Sequence, residues 1–260
     1  MSYETLLFDV KAGVAQIRLN REKTANALNL QMCRDLQDAA LRCQSDASVR
    51  AVVISAEGKM FCAGGDLGAF SNAGDAAPRL LKEMTIHLHA AISRFSRMDA
   101  PVIGAVTGIA AGAGFSLVAA MDLAIAGESA KFTMAYTRAG LTPDGSATWF
   151  LPRLIGSRRS LELMLTNRML TAPEALEWGI VNQVVSDDAV LETAMQLARE
   201  LARGATAAFG VTKRLLLASG SASLETQMEM EGDAIAAASG TPAGREGIAA
   251  FLEKRPAKFV

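Results

Sequence analysis

The chain is expected to fold as an α/β protein whose strands pair largely in parallel and wind as a spiral, with an all-helical region at the C-terminal end. Three observations lead to this class. Short β-branched runs alternate with segments of helical apolar spacing up to about residue 187. Two of those runs pass into a glycine-rich turn and then a helical segment: Phe61-Cys62-Ala63-Gly64-Gly65-Asp66-Leu67 and Gly108-Ile109-Ala110-Ala111-Gly112-Ala113-Gly114. Beyond residue 187 only helical segments follow.

In chain order, Leu6–Val10 and Val14–Leu19 flank Lys11-Ala12-Gly13 and predict a β-hairpin with a glycine turn. Leu28 to Gln44 has Leu28, Met32, Leu36 and Ala40 on one stripe, the spacing of a helix. A strand is predicted at 51–55, a helix around 79–98, a strand at 102–107, a helix ending near Met121 and a strand at 123–126. Ile180 to Val185 suits a buried strand. The helical tail divides into 187–203, 206–219, 223–239 and 244–254 at Arg203-Gly204, Ser219-Gly220 and Gly240-Thr241-Pro242. The stretch 69–78 is rich in small and polar residues and is read as a mobile loop, a candidate lid beside the first glycine turn.

Composition narrows the function classes. The 260 residues are 50% hydrophobic and 20% charged, with a formal net charge of -1. That suits a soluble globular protein and argues against nucleic-acid binding, which relies on a basic surface. No signal peptide and no membrane-length apolar run is visible, so a cytoplasmic location is expected. Three scattered cysteines, Cys33, Cys43 and Cys62, fit a reducing compartment. Cys62 is read as a small buried residue rather than a nucleophile. His87 and His89 have no metal-ligand company, and no metal site is expected.

The chemistry candidates cluster at the two glycine turns. Small residues let the backbone approach a ligand, and helix starts present free N–H groups. Two such turns can aim two donors at one oxygen, the construction of an oxyanion hole. Nucleotide folds are disfavoured: Leu117 stands where GxGxxG needs glycine, and no GK[ST] occurs. No GxSxG marks a serine hydrolase. Asp144, in Gly140-Leu141-Thr142-Pro143-Asp144-Gly145-Ser146, reads from its neighbours first as an N-cap and second as an acid–base or nucleophilic group. Asp66 reads as a cap, Asp122 as structural, and His89 as a packed or hydrogen-bonded histidine. Tyr136 either offers its hydroxyl to a ligand or packs.

Taken with Asn20-Arg21-Glu22-Lys23-Thr24-Ala25-Asn26-Ala27-Leu28, Trp178-Gly179-Ile180-Val181 and Phe251-Leu252-Glu253-Lys254-Arg255, these motifs resemble the crotonase (enoyl-CoA hydratase/isomerase) superfamily along essentially the whole chain. The resemblance implies a ClpP-like spiral of ββα units over 1–200 and a helical trimerisation region over 201–260, giving homotrimers or hexamers. It implies an acyl-CoA thioester substrate and no separate cofactor, the CoA being part of the substrate. By motif position the oxyanion donors would be the N–H groups of Gly65 and Ala113. Lys23, Ala25, Ala63, Gly64, Asp66, Leu67 and Tyr136 would lie along the substrate or its CoA. Phe251 and Lys254 would reach a neighbouring subunit's CoA.

The departures decide the expected reaction. Hydratases of the family use two glutamates on water; the matching positions here hold Ser116 and Tyr136. Asp144 matches instead the aspartate of members resembling ring-1,2-epoxyphenylacetyl-CoA isomerase and Δ3,Δ2-enoyl-CoA isomerases. That context favours Asp144 as acid and base, shifting a double bond through an enolate, over a cap alone. His89 and Ser116 are auxiliary candidates. The alternatives are a hydratase with another residue set, or a dehalogenase or hydrolase with Asp144 as nucleophile. The 4-chlorobenzoyl-CoA dehalogenase has an aspartate at the position of Asp144, which attacks the ring, and a histidine at that of His89, which activates water, but has aromatic residues where this chain has Gly65-Asp66. A non-catalytic RNA-binding relative is the remaining alternative.

Overall fold

The computed structural model describes residues 3–259. Strands β1 (Leu6–Lys11) and β2 (Val14–Leu19) form the expected antiparallel hairpin. Helix α1 (Leu30–Ser45) starts at Asn29, whose side chain accepts the Met32 N–H, and buries Met32, Leu36 and Ala40. After β3 (Ala51–Ala56) come α2 (Leu67–Ala73) and α3 (Ala77–Arg97), which packs on α1. Then follow β4 (Val102–Val106), β5 (Ile109–Ala111), α4 (Ala113–Ala119), β6 (Leu123–Gly127) and β7 (Lys131–Thr133). Next are α5 (Ala147–Thr166), β8 (Leu170–Thr171), α6 (Ala172–Glu177), β9 (Gln183–Val185) and α7 (Val190–Ala202). The chain ends in α8 (Thr206–Ser219), α9 (Leu224–Ser239) and α10 (Pro242–Leu252).

The main sheet has six strands in the order β1-β2-β3-β4-β6-β9, parallel throughout except for the hairpin. Both of its faces are covered. Val52 and Ile54 of β3 point into the larger core. Ala51 and Val53 pack with Ile103, Ala105 and Ile125 against Val190, Ala194 and Ala198 of α7. Double coverage explains why β3 and β4 read as continuous apolar runs rather than alternating ones. A smaller sheet, β5-β7-β8, lies beside the glycine turns.

Two expectations need correction. The stretch 69–78 is mostly helix: α2, a short 3-10 turn at Gly74–Ala76, and the first turn of α3. Asp66 caps α2 through the Ala69 N–H, Pro78 sits in the first turn of α3, and the alanines between favour helix. In the expected strand 180–185, only Gln183–Val185 pairs, while Ile180 and Val181 are buried in the turn before it. Among the described residues no helix is long and apolar enough to cross a membrane, and no cluster of three or more His, Cys, Asp or Glu side chains is placed to hold a metal ion.

Candidate active site

The two glycine turns lie directly against each other. Cys62 donates its N–H to Ile109 (3.1 Å) and accepts from Ala111 (2.8 Å), stitching the first turn to β5. On its other side the Ala63 N–H donates to Ala25 (3.0 Å), and the Leu28 N–H donates to Gly64 (2.7 Å). The approach leaves no room for side chains. A Cβ at Gly64, where φ is +95°, would stand 2.9 Å from the Ala111 carbonyl oxygen; one at Gly114 would stand 2.5 Å from the Cys62 oxygen.

This stitching uses many N–H groups of the two turns and leaves several without an acceptor, those at the starts of α2 and α4 among them. The Gly64 N–H points at Cys62 Sγ (3.4 Å), and the Gly112 N–H donates to Thr133 (2.9 Å). The N–H groups of Gly65 and Ala113 have no acceptor among the described residues. Ala113 is the first residue of α4, whose opening N–H groups have no partner within a helix. Both residues line one cavity of about 310 Å³. Its remaining wall is mostly apolar: Leu28, Phe70, Leu81, Met84 and Leu88 among others.

Asp144 also lines this cavity. Its side chain does not cap α5, the role its neighbours alone suggested. Helix α5 begins after Ser146, which has φ +67° and makes no side-chain cap. The Asp144 carboxyl group instead shares a 2.7 Å hydrogen bond with His89 Nε2. His89 is therefore no packed core residue; its side chain is 51% exposed. Gly145, with φ +63°, lets the loop press on Ser116: a Cβ there would stand 3.0 Å from Ser116 Cβ.

Ser116 and Tyr136 are tied into this support. Ser116 is fully buried, reaches the Gly112 carbonyl (3.2 Å), and shares a 3.0 Å hydrogen bond with the Tyr136 hydroxyl. Tyr136 also donates to the Asp144 carbonyl at 3.1 Å. Burial is the main cause that pushes the Tyr136 phenol above its ordinary range, and it raises the Cys33 thiol at the cavity wall to about 12. Asp144 is thus the one carboxylate that lines the cavity, between groups that keep their protons at neutral pH. Cys62, fully buried and also raised to about 12 by burial, is a packing residue.

The other sequence candidates divide. Ala63, Gly64 and Leu67 line the cavity. Asp66 caps α2 and pairs with Arg21 at 3.1 Å. Lys23 is exposed, and Ala25, with φ +52°, holds the first turn through its carbonyl. Phe251, 84% exposed, and Lys254 lie outside the cavity of their own chain. The His89–Asp144 contact joins residues 55 apart in the chain. Nothing local marks such a pair.

A family model described as Enoyl-CoA hydratase/isomerase matches residues 9–260. The chain belongs to this family. It is 37% identical to the 1,2-epoxyphenylacetyl-CoA isomerase of Escherichia coli (strain K12), over 98% of each chain. It is 35% identical to 4-chlorobenzoyl coenzyme A dehalogenase-2 of Arthrobacter sp, over 93% of this chain and 88% of the relative. The crystal structure of an enoyl-CoA hydratase from Polaromonas sp. JS666 superposes with a TM-score of 0.94 at 32% identity, covering 98% of this chain and 99% of the other. The chain is therefore a crotonase-fold member of an enzyme family that acts on CoA thioesters.

Proposed function

We propose that the protein is an enoyl-CoA isomerase in which one carboxylate moves a proton along the acyl chain. The thioester oxygen accepts from the Gly65 and Ala113 N–H groups, which hold the enolate that forms as a carbon-bound proton leaves. Asp144 takes that proton and returns it at another carbon of the conjugated system, so the double bond moves and no water is added. The observation that carries this reading is the cavity's chemistry: the Asp144 carboxylate lines the same cavity as Gly65 and Ala113, whose N–H groups have no acceptor among the described residues. Ser116 and Tyr136, at the positions of the hydratase glutamates, spend their hydroxyls on each other and on the backbone.

The test is a comparison of substrates with the purified wild type. Double-bond movement in 3-hexenoyl-CoA, faster than water addition to crotonyl-CoA, supports the assignment; the reverse order removes it. The His89–Asp144 contact favours one second reading, aspartate as nucleophile on an aryl-CoA. Chloride release from 4-chlorobenzoyl-CoA, with a covalent aryl-aspartate seen by mass spectrometry, would establish that reading in place of the first.

The assembly proposed is a homotrimer or a pair of trimers built by the C-terminal helices, with Phe251 and Lys254 against a neighbour's CoA. Helix α9 buries no residue in the single chain, and Leu224, Met228, Ile235, Ile248 and Phe251 are exposed. Such an apolar surface is the kind that subunit contacts cover.

A further inference from the structure

The His89–Asp144 pair stands between two cavities. Asp144 lines the main cavity and is absent from the lining of the second. His89 lines the second and is absent from that of the first. The division follows from α3, where Leu88 faces the substrate side and His89, one residue on, faces the other. The second cavity, of about 270 Å³, has hydroxyl-bearing walls at Ser93, Ser96 and Ser146. It is roomy enough for several water molecules, each needing about 30 Å³ and two or more polar partners, which the serines, Arg97 and His89 supply beside an otherwise apolar wall of Ile92, Trp149, Phe150 and Leu217.

We infer that His89 is a positioning residue that also exchanges the proton held by Asp144 with solvent in this second cavity. The inference rests on Asp144 acting as the base. The 2.7 Å contact serves both states of the carboxyl. As a carboxylate, Asp144 accepts from Nε2–H; as a carboxylic acid, it donates to a bare Nε2 while the ring proton sits on Nδ1. Starting from the tautomer with the ring proton on Nδ1 and Nε2 bare, Asp144 takes a proton from the substrate carbon and passes it to Nε2, forming an imidazolium and restoring the carboxylate. The imidazolium gives its Nδ1 proton to water. The same steps in reverse return a solvent proton to Asp144 and then to the product carbon, so one proton leaves and one enters per cycle. Proton return thus has two sources: the substrate's own proton, retained on Asp144, and a solvent proton admitted through His89.

Turnover of 3-hexenoyl-CoA in D₂O, with deuterium in the product read by mass spectrometry, tests this. The wild type is expected to place solvent deuterium in the product. His89→Gln keeps an N–H donor toward Asp144 but has no titratable ring; deuterium uptake per turnover is expected to fall about tenfold, with a smaller fall in kcat. His89→Phe, which removes the donor as well, is expected to lose uptake and lower kcat further. Unchanged uptake per turnover in His89→Gln overturns the inference, whether or not kcat falls. Washout of the α protons of hexanoyl-CoA, a saturated ester with no double bond to move, separates this inference from the isomerase reading. Absence of double-bond movement in the wild type refutes the isomerase, whereas washout that ignores His89→Gln refutes the exchange route. A wild type that does neither refutes both.

Discussion

Replacing Gly114 with alanine forces a methyl group between the two glycine turns. The new Cβ would stand 2.5 Å from the Cys62 carbonyl oxygen and 2.6 Å from Cys62 Cβ. The first distance lies 0.9 Å inside the 3.4 Å at which ordinary contact begins. Neither neighbour yields easily, because Cys62 is fully buried and hydrogen-bonded to β5 through both its N–H and its C=O. Relief therefore requires the turns to part by several tenths of an ångström, and the start of α4 moves with Ala113 on it. A displacement approaching 1 Å at a reacting centre lowers rate about 10²-fold. Overpacking costs about 1–3 kcal/mol, offset by about 1 kcal/mol because alanine favours helix over glycine. Steady-state turnover of 3-hexenoyl-CoA with a thermal melt reads both quantities. The expected result is a large fall in kcat with a modest fall in Tm. A Gly114→Ala protein within about threefold of wild-type kcat would show that the spacing of the turns does not govern catalysis.

Ala113→Pro deletes one proposed oxyanion donor at the first position of α4, where proline is tolerated because its missing N–H has no helical partner. Turnover is expected to fall about 10²–10³-fold with little change in circular dichroism, and near-normal turnover would remove Ala113 from the oxyanion site. Lys213 fastens α8 to the body, its ammonium 2.7 Å from the partly buried Asp122 carboxylate and donating to the carbonyls of Phe95 and Ala100. Burial raises Asp122 and lowers Lys213 from their ordinary ranges, so each depends on the other to stay charged. Lys213→Ala is expected to cost about 3–5 kcal/mol in urea unfolding, and a loss under about 1 kcal/mol would show that water reaches Asp122.

What could be read from the sequence depended on whether the signal was local. Helix α8 falls at 206–219 as expected, and Asp66 caps α2, because breaks and caps are set by a few neighbouring residues. The glycine turns were legible for the same reason, although Ile109–Ala111 within the second is itself a strand pairing with β7. The same local rules misread 69–78, where small residues suit a loop and a helix alike until the cap at Asp66 decides. They also misread Asp144. Its Pro143 and Gly145 neighbours look like a helix start, but its carboxylate is drawn away by His89 on α3, a contact made only by the tertiary fold. The family resemblance put the catalytic reading of Asp144 ahead of the cap that local spacing ranked first.

Asp144 carries the proposed chemistry, so the most direct measurement replaces its carboxylate with an amide of the same shape. Asp144→Asn keeps the side chain's volume and an oxygen toward His89 but cannot accept a proton from carbon. With 3-hexenoyl-CoA, kcat is expected to fall about 10²–10⁴-fold while binding of the CoA ester and thermal stability hold. Wild-type turnover in the Asp144→Asn protein would contradict Asp144 as the base and, with it, the isomerase mechanism.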